Sequence, residues 1–100
     1  MTTFNLEEQS KRKRLQLQHV QQLAASGEWE AAVQLNREIL EVTPDDIRAL
    51  NRLGKALSEM GRYSEAHATY SRAAELDPTN QIARRNLQRL EPLKDREGEE

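Results

Sequence analysis

GEWEAAVQLNREILEVTPDD at residues 27–46 is answered by GRYSEAHATYSRAAELDPTN at residues 61–80. Gly27 returns as Gly61, Trp29 as Tyr63, Ala32 as Ala66, Glu41 as Glu75 and Pro44 as Pro78, all 34 residues apart and with no insertion. Five coincidences at one spacing mark an internal repeat, and a period of this length is one supersecondary unit copied along the chain. That period sets the frame for every other residue.

Within the frame the hydrophobic spacing is helical. Between residues 47 and 60, Ala49, Leu50, Leu53, Ala56, Leu57 and Met60 recur every three or four residues, which lines one face of a helix. Asp45 and Asp46 stand before it as N-cap candidates, and Gly61 after it can take the positive φ of a helix stop. A second helix over about 63–76 carries Tyr63, Ala66, Tyr70, Ala73 and Leu76 on one stripe, and DPTN at 77–80 breaks it. The earlier copy follows the same plan, with a helix ending near Ala25 and another over about 29–42. The first of these is expected to begin as early as Leu6 and to be unusually long. A fifth helix over 81–90 must end at or before Glu91, because Pro92 follows. Nothing between Leu6 and Leu90 reads as a strand.

Composition narrows the function. The chain has 100 residues, 36% apolar and 32% charged, enough for one thin core and not for a deep enclosed pocket. With no cysteine, neither a disulfide framework nor a thiolate metal site can form. No apolar run reaches the roughly 18 residues that span a bilayer, and MTTFNLEEQSKRKR lacks a secretory apolar stretch. A cytoplasmic protein with no membrane contact is the expectation. The net charge of −2 hides a gradient: −3 over residues 1–46, +4 over 47–90 and −3 over 91–100.

Two helices per 34-residue unit, with these residues at these places, resemble the tetratricopeptide repeat family. Counted from Ile47, the second unit has that family's pattern at Leu50, Leu53, Gly54, Leu57, Ala66, Tyr70, Ala73 and Pro78. Gly54 and Ala66 would let the two helices approach closely, with Leu50, Leu53 and Tyr70 filling the space beside them. Counted from Lys13, the first unit agrees at Leu23, Ala32 and Pro44. It departs at Gln16, His19, Val20 and Asn36, and Val20 in place of glycine should open that hairpin. The fifth helix keeps Ala83 and Leu87 but has Arg84 and Gln88 where another unit would pack, as a capping helix should.

The resemblance implies an all-α fold of antiparallel helix hairpins stacked as a short right-handed superhelix. It divides the chain into an N-terminal extension (1–12) continuing the first helix, repeats at 13–46 and 47–80, a capping helix at 81–91 and a disordered charged tail at 92–100. Two units plus a cap are near the lower limit for such a stack, so either the long first helix closes it or copies of the chain associate.

Catalysis calls for a cluster of reactive groups, and the sequence offers none. His19 and His67 fall in different helices without a Cys, Ser–Asp or metal-ligand partner in register. His19, at a normally apolar repeat position, reads as a partly buried structural residue, and His67 as part of a solvated face. The glycines form no phosphate-cradling pattern. KRKR at 11–14 spreads around its helix beside Glu7 and Glu8 and reads as a solvated face rather than a nucleic-acid patch. No catalytic residue, cofactor or metal is expected, and nucleic acid is disfavoured as a partner.

The family resemblance also implies a concave groove lined by positions 2, 5, 9, 12 and 13 of each unit's first helix. These are Arg14, Leu17, Gln21, Ala24 and Ala25 in the first unit, then Arg48, Asn51, Lys55, Ser58 and Glu59 in the second. Ile82, Arg85 and Arg89 follow in the cap. Arg14, Leu17, Gln21, Arg48, Asn51, Lys55, Arg85 and Arg89 are the candidate ligand contacts, and their charge favours an acidic peptide. Ordinary solvated helix charge is the competing explanation. Some family members clamp the C-terminal carboxylate of chaperone peptides with Lys and Asn in the first helix, Asn in the third, and Lys and Arg in the fifth. Here Leu17, Gln21 and Arg52 stand at the matching places in the first and third helices, so that clamp is not reproduced.

The functional expectation is a non-catalytic protein-interaction scaffold or adaptor that holds a peptide or partner helix in its groove. The alternative is a self-assembling unit forming a homo-oligomer, favoured if Leu6, Leu15 and Leu17 make a bare stripe on the first helix.

Overall fold

A computed structural model describes residues 6–96 of the chain, without the side chains of residues 6, 7 and 20–26. Five helices follow in order: α1 (Leu6–Ser26), α2 (Trp29–Val42), α3 (Ile47–Glu59), α4 (Tyr63–Leu76) and α5 (Gln81–Leu90). Each packs on the next, so neighbours in the chain are neighbours in space, and no strand occurs among the described residues. The result is an all-α stack of antiparallel hairpins, a short α-solenoid. At 21 residues, α1 is the longest helix, in keeping with the sequence expectation.

The 34-residue period persists down to single hydrogen bonds. Asp46 caps α3 by accepting from the Ala49 N–H at 3.1 Å, and Asn80 caps α5 by accepting from the Ala83 N–H at 3.2 Å. The turn before each cap is also repeated: Asp46 N donates to Thr43 O at 3.1 Å, and Asn80 N to Asp77 O at 3.0 Å. Gly27 and Gly61 both sit at positive φ, 79° and 77°. At the end of α3, Gly61 N reaches Ser58 O and Arg62 N reaches Leu57 O, the paired bonds of a Schellman stop that needs a residue in the left-handed region.

Small residues at equivalent places bring the helices together. Ala32 and Ala66, and likewise Ala49 and Ala83, are almost completely buried. The main core joins Val33, Leu50, Leu53, Leu57, Tyr70 and Leu90 around Ala32, Ala66 and Ala83, and a smaller cluster of Ile39 and Ala49 takes Leu17 from α1. At Gly54 the close approach is to Tyr70, one of the residues expected to fill the space there. A Cβ on Gly54 would come within 2.6 Å of the Tyr70 ring, so the glycine makes room for an aromatic face.

The cap diverges from the repeat as its residue types require. Leu50 is buried, but its counterpart Arg84 is exposed, so α5 turns a polar face outward. The chain does not leave the fold at Pro92, where the sequence reading began a disordered tail. Leu93 packs against the main core and Lys94–Arg96 forms a 3-10 turn against α4. One apolar side chain just beyond the proline is the anchor that the charge-rich tail seemed to lack. The remainder of that tail, 97–100, lies outside the described residues.

Candidate functional site

Between α3 and α5 runs a groove of about 480 Å³, lined by Asn51, Arg52, Lys55 and Glu59 on one wall and by Ile82, Asn86 and Arg89 on the other. Residues 51, 55 and 59 lie one helical turn apart, as do 82 and 86, so each wall is the strip of its helix that the core leaves over. Tyr70 of α4 closes the bottom. It reaches that place because Gly54 has no side chain to stop it.

The groove is rich in hydrogen-bond donors. Arg89 is held in position by Ser58 Oγ, to which its Nη2 donates at 2.8 Å, and by Asn86 Oδ1, to which Nη2 and Nε donate at 3.0 and 3.3 Å. Lys55 has no ion-pair partner among the described residues. Arg52 Nη1 is sealed from solvent and donates to none of the described residues. Tyr70 is only 1% exposed and its hydroxyl makes no hydrogen bond among the described residues. Burial pushes the Tyr70 hydroxyl up to about 12, reinforced by Glu59 and opposed by the Arg89 guanidinium, so it keeps its proton. Glu59 is the single acid on the walls.

The eight predicted groove residues fall in several places. Asn51, Lys55 and Arg89 come together here, although Asn51 turns its amide to Asn80, exchanging bonds of 3.1 and 3.5 Å that tie α3 to the start of α5. Leu17 and Arg48 meet in a separate depression of about 590 Å³, bordered by Lys13, Pro44 and Asp46. Leu17 is half-buried against Ile39 and Ala49 and spends its surface on holding α1 in place. Arg85 opens on a flank of α5 with Gln81, Arg84 and Gln88. Arg14 is exposed on α1 and borders neither depression, and the Gln21 side chain lies outside the described residues.

Reading the frame at positions 2, 5, 9, 12 and 13 missed Tyr70 and, at position 6 of their units, Arg52 and Asn86. The signal was present in the spacing, because Arg52 stands three residues before Lys55 and seven before Glu59.

Other expectations divide. His19 is exposed rather than partly buried. The His67 side chain is 20% exposed, with Nε2 2.8 Å from Glu91 Oε2, so it belongs to the clasp of the C-terminal turn and not to a solvated face. Of the α1 leucines, Leu15 is 55% exposed, Leu17 is covered, and the Leu6 side chain lies outside the described residues. Among the described residues no group of His, Asp or Glu could hold a metal ion, and no helix is long and apolar enough to cross a membrane.

Comparison with known proteins bears on residues that include this groove. The sequence profile of the tetratricopeptide repeat matches residues 23–90, more than half of the chain. A small glutamine-rich tetratricopeptide repeat-containing protein 2 from Mycosarcoma maydis is 33% identical over 61 residues, covering 61% of this chain and 17% of that protein. The peroxisomal targeting signal receptor of Eremothecium gossypii is 40% identical over 63 residues, covering 63% of this chain and 11% of the receptor. An uncharacterized protein y4yS from Sinorhizobium fredii is 41% identical over 56 residues, 56% of this chain and 31% of that one. The chain thus spans less than a third of the length of these curated relatives. No solved structure matches it. The profile match, the named relatives and a 34-residue repeat visible in individual hydrogen bonds agree: this chain belongs to the tetratricopeptide repeat family, whose helical repeats serve as protein–protein interaction scaffolds.

Proposed function

We propose that the chain is a non-catalytic interaction module that holds a peptide or partner helix of another protein in the α3–α5 groove and favours acidic sequences. One observation carries this reading. Cations at the seams between helices are satisfied by carboxylates, as with Arg37 and Arg62 on Glu65 and Arg72 on Asp45, whereas Arg52, Lys55 and Arg89 line one groove without a carboxylate partner among the described residues. Rigid helix walls present these groups without an ordering cost at the moment of binding. The Eremothecium gossypii relative is named for recognising a targeting signal, which accords with a ligand-reading role for such repeats.

A second reading, self-assembly through the N-terminal end, draws on Leu15 and on Val42, which is 82% exposed. Equilibrium sedimentation separates the two: a monomer mass at working concentrations removes self-assembly.

The groove reading is tested with a library of labelled acidic peptides titrated against three proteins. These are the parent, a Lys55→Glu, Arg89→Glu double variant and an Arg48→Glu, Arg85→Glu double variant with both changes outside the groove. Binding to the parent should weaken as salt rises, since separated charges are screened beyond about 10 Å at 0.1 M. The groove variant should lose most affinity and the flanking variant little. Equal loss in both would return the ligand to a wider face that includes Arg48 and Arg85. Equal binding by all three proteins would remove the groove altogether.

A further inference from the structure

We infer that the C-terminal turn, residues 91–96, is a strap whose hold on α4 is set by pH: it closes most firmly with His67 protonated and loosens as that proton leaves. None of its residues lines the α3–α5 groove, so the strap stands or falls apart from ligand binding there.

The internal repeat carries the case. Val33 on α2 and Leu57 on α3 stand 34 residues before His67 and Glu91. Both are buried in the main core, at 5% and 1% exposed. Where the internal junction has two aliphatic side chains, the terminal junction therefore has an imidazole Nε2 2.8 Å from a carboxylate oxygen. Met60 likewise gives way to Lys94, whose Nζ lies 3.0 Å from the other oxygen of Glu91. An apolar contact is indifferent to pH, but an ion pair lasts only while both partners are charged. Of the side chains in this clasp, only an imidazole ordinarily titrates near neutrality, at about 6.5.

The other charges around His67 are constant or turned elsewhere. Lysine, arginine and aspartate keep their charge across neutrality, which covers Lys94, Asp95 and Arg96 of the turn. Glu91 keeps its own, because its hydrogen bond with Lys94, and then that with His67, hold the carboxyl below its usual range. On α5, Arg84 and Arg85 open on the flank and Arg89 on the groove. On α3, Arg52, Lys55 and Glu59 line the groove and Arg48 the depression beside Leu17. On α4 itself, Glu65 pairs with Arg37 and Arg62, Arg72 pairs with Asp45, and Glu75 stands more than two turns away.

The sign of the effect follows from which contact crosses to α4. Lys94 and Glu91 are three residues apart in the strap, so their pair ties the strap to itself. His67 is the charged link to the helix. Below about pH 6.5 imidazolium and carboxylate attract, while above it the neutral ring keeps a hydrogen bond about half as strong. Leu93 then remains as the apolar anchor, one partly buried side chain against the core. Opening lifts it away, so acidity sets whether this end of the stack is closed.

Hydrogen exchange on the full chain reads the strap directly. The Leu93 amide donates to Leu90 O at 2.9 Å and the Arg96 amide to Leu93 O at 3.1 Å, while the Arg62 amide, on Leu57 O at 2.9 Å, reports the internal junction. Protection factors corrected for intrinsic rates give the open population of each. Between about pH 5.5 and pH 7.5 the parent should lose protection about two- to fivefold at Leu93 and Arg96 and none at Arg62. His67→Gln, a donor that cannot gain charge, should hold the neutral-pH protection at both values. Lys94→Gln should keep the step. His67→Val with Glu91→Leu copies the internal junction and should be as protected as the acid form of the parent at both values. A flat profile in the parent, or a step that survives His67→Gln, would overturn the strap. So would an equal step at Arg62, which would mean a change of the whole fold, and so would loss of the step in Lys94→Gln. Protection in the double variant below that of the neutral parent would show that the two junctions are not equivalent, and would remove the comparison that carries the strap.

Discussion

The two hairpins are built on one plan, yet at one pair of positions they make opposite choices. In the second, Gly54 faces Tyr70, the smallest residue against one of the largest. In the first, the same repeat positions hold Val20 and Asn36, a larger residue where the glycine stood and a smaller one where the tyrosine stood. The total size across each pair is held roughly level while its distribution reverses. The chemistry differs more. Tyr70 completes the core and extends to the α3–α5 groove, whereas Asn36 is fully buried, donates from Nδ2 to Ala32 O at 2.8 Å and has no partner for Oδ1 among the described residues. Helix α1 also packs on α2 more sparsely than α3 does on α4. The repeat thus fixes helix positions in both units and lets one unit trade packing quality for other needs.

The largest effect should come from spoiling the better-packed pair. Gly54→Leu places a Cβ 2.6 Å from the Tyr70 ring and adds three more carbons, which should cost about 3 kcal/mol in denaturant unfolding. Gly54→Ala should also destabilise, because the overlap begins at Cβ and outweighs a helix-propensity gain of about 1 kcal/mol. Importing the first hairpin's solution sharpens the comparison. Gly54→Val with Tyr70→Asn should be less destabilised than the sum of its single changes, since the two residues share one space. Strict additivity would show that they are not a matched pair.

The converse change should improve the weaker hairpin. Asn36→Leu removes a buried acceptor with nothing to accept and gives up one bond to a carbonyl already inside a helix. A gain of about 1 kcal/mol is expected in the denaturation midpoint. A fall instead would mean that Asn36 Oδ1 finds a partner, such as a water, between α1 and α2.

How much of this was legible follows from which interactions are local. Caps, turns and helix stripes depend on neighbours within a few residues, so Asp46, Gly61 and the 47–60 stripe announce α3 directly. The closeness of α3 and α4 was also readable from Gly54, and Tyr70 was readable as a residue filling the space beside it, but not as the ring that stands directly over the glycine. Ala66 and Tyr70 lie on the same helix, and only the rotation of α4 chooses between them. Individual groove residues were less legible still. Arg48 and Lys55 share a helix face but stand two turns apart, and the fold gives the nearer turn to α1 and the farther one to α5. Leu93 was lost for the opposite reason: a single apolar residue after a proline has no periodicity to reveal it.

The smallest expected effect lies at the seam where the two hairpins meet, and it asks whether the ion pair of Arg37 with Glu65 helps to join them. Glu65 on α4 accepts from Arg62 in its own hairpin, with contacts of 2.8 to 3.1 Å, and from Arg37 Nη2 on α2 at 2.8 Å. The Arg62 guanidinium, with Arg37 adding to it against a desolvation cost, holds the Glu65 carboxyl below its usual range. A carboxylate depressed in the folded state stabilises the fold above its unfolded pKa, near 4.3, and loses that contribution as pH falls through the folded value. The side chain is 45% exposed, so screening by solvent holds the benefit to about 0.5 kcal/mol. The parent should therefore exceed Glu65→Gln in unfolding free energy by about that amount at neutral pH, with the difference closing below about pH 4. Arg37→Gln and Arg62→Gln then divide the effect, because of these two only Arg37 crosses between hairpins. A loss confined to Arg62→Gln would leave Arg72 with Asp45 as the ion pair between the two units, whereas a loss in Arg37→Gln of similar size would make the Arg37–Glu65 pair part of the stacking itself.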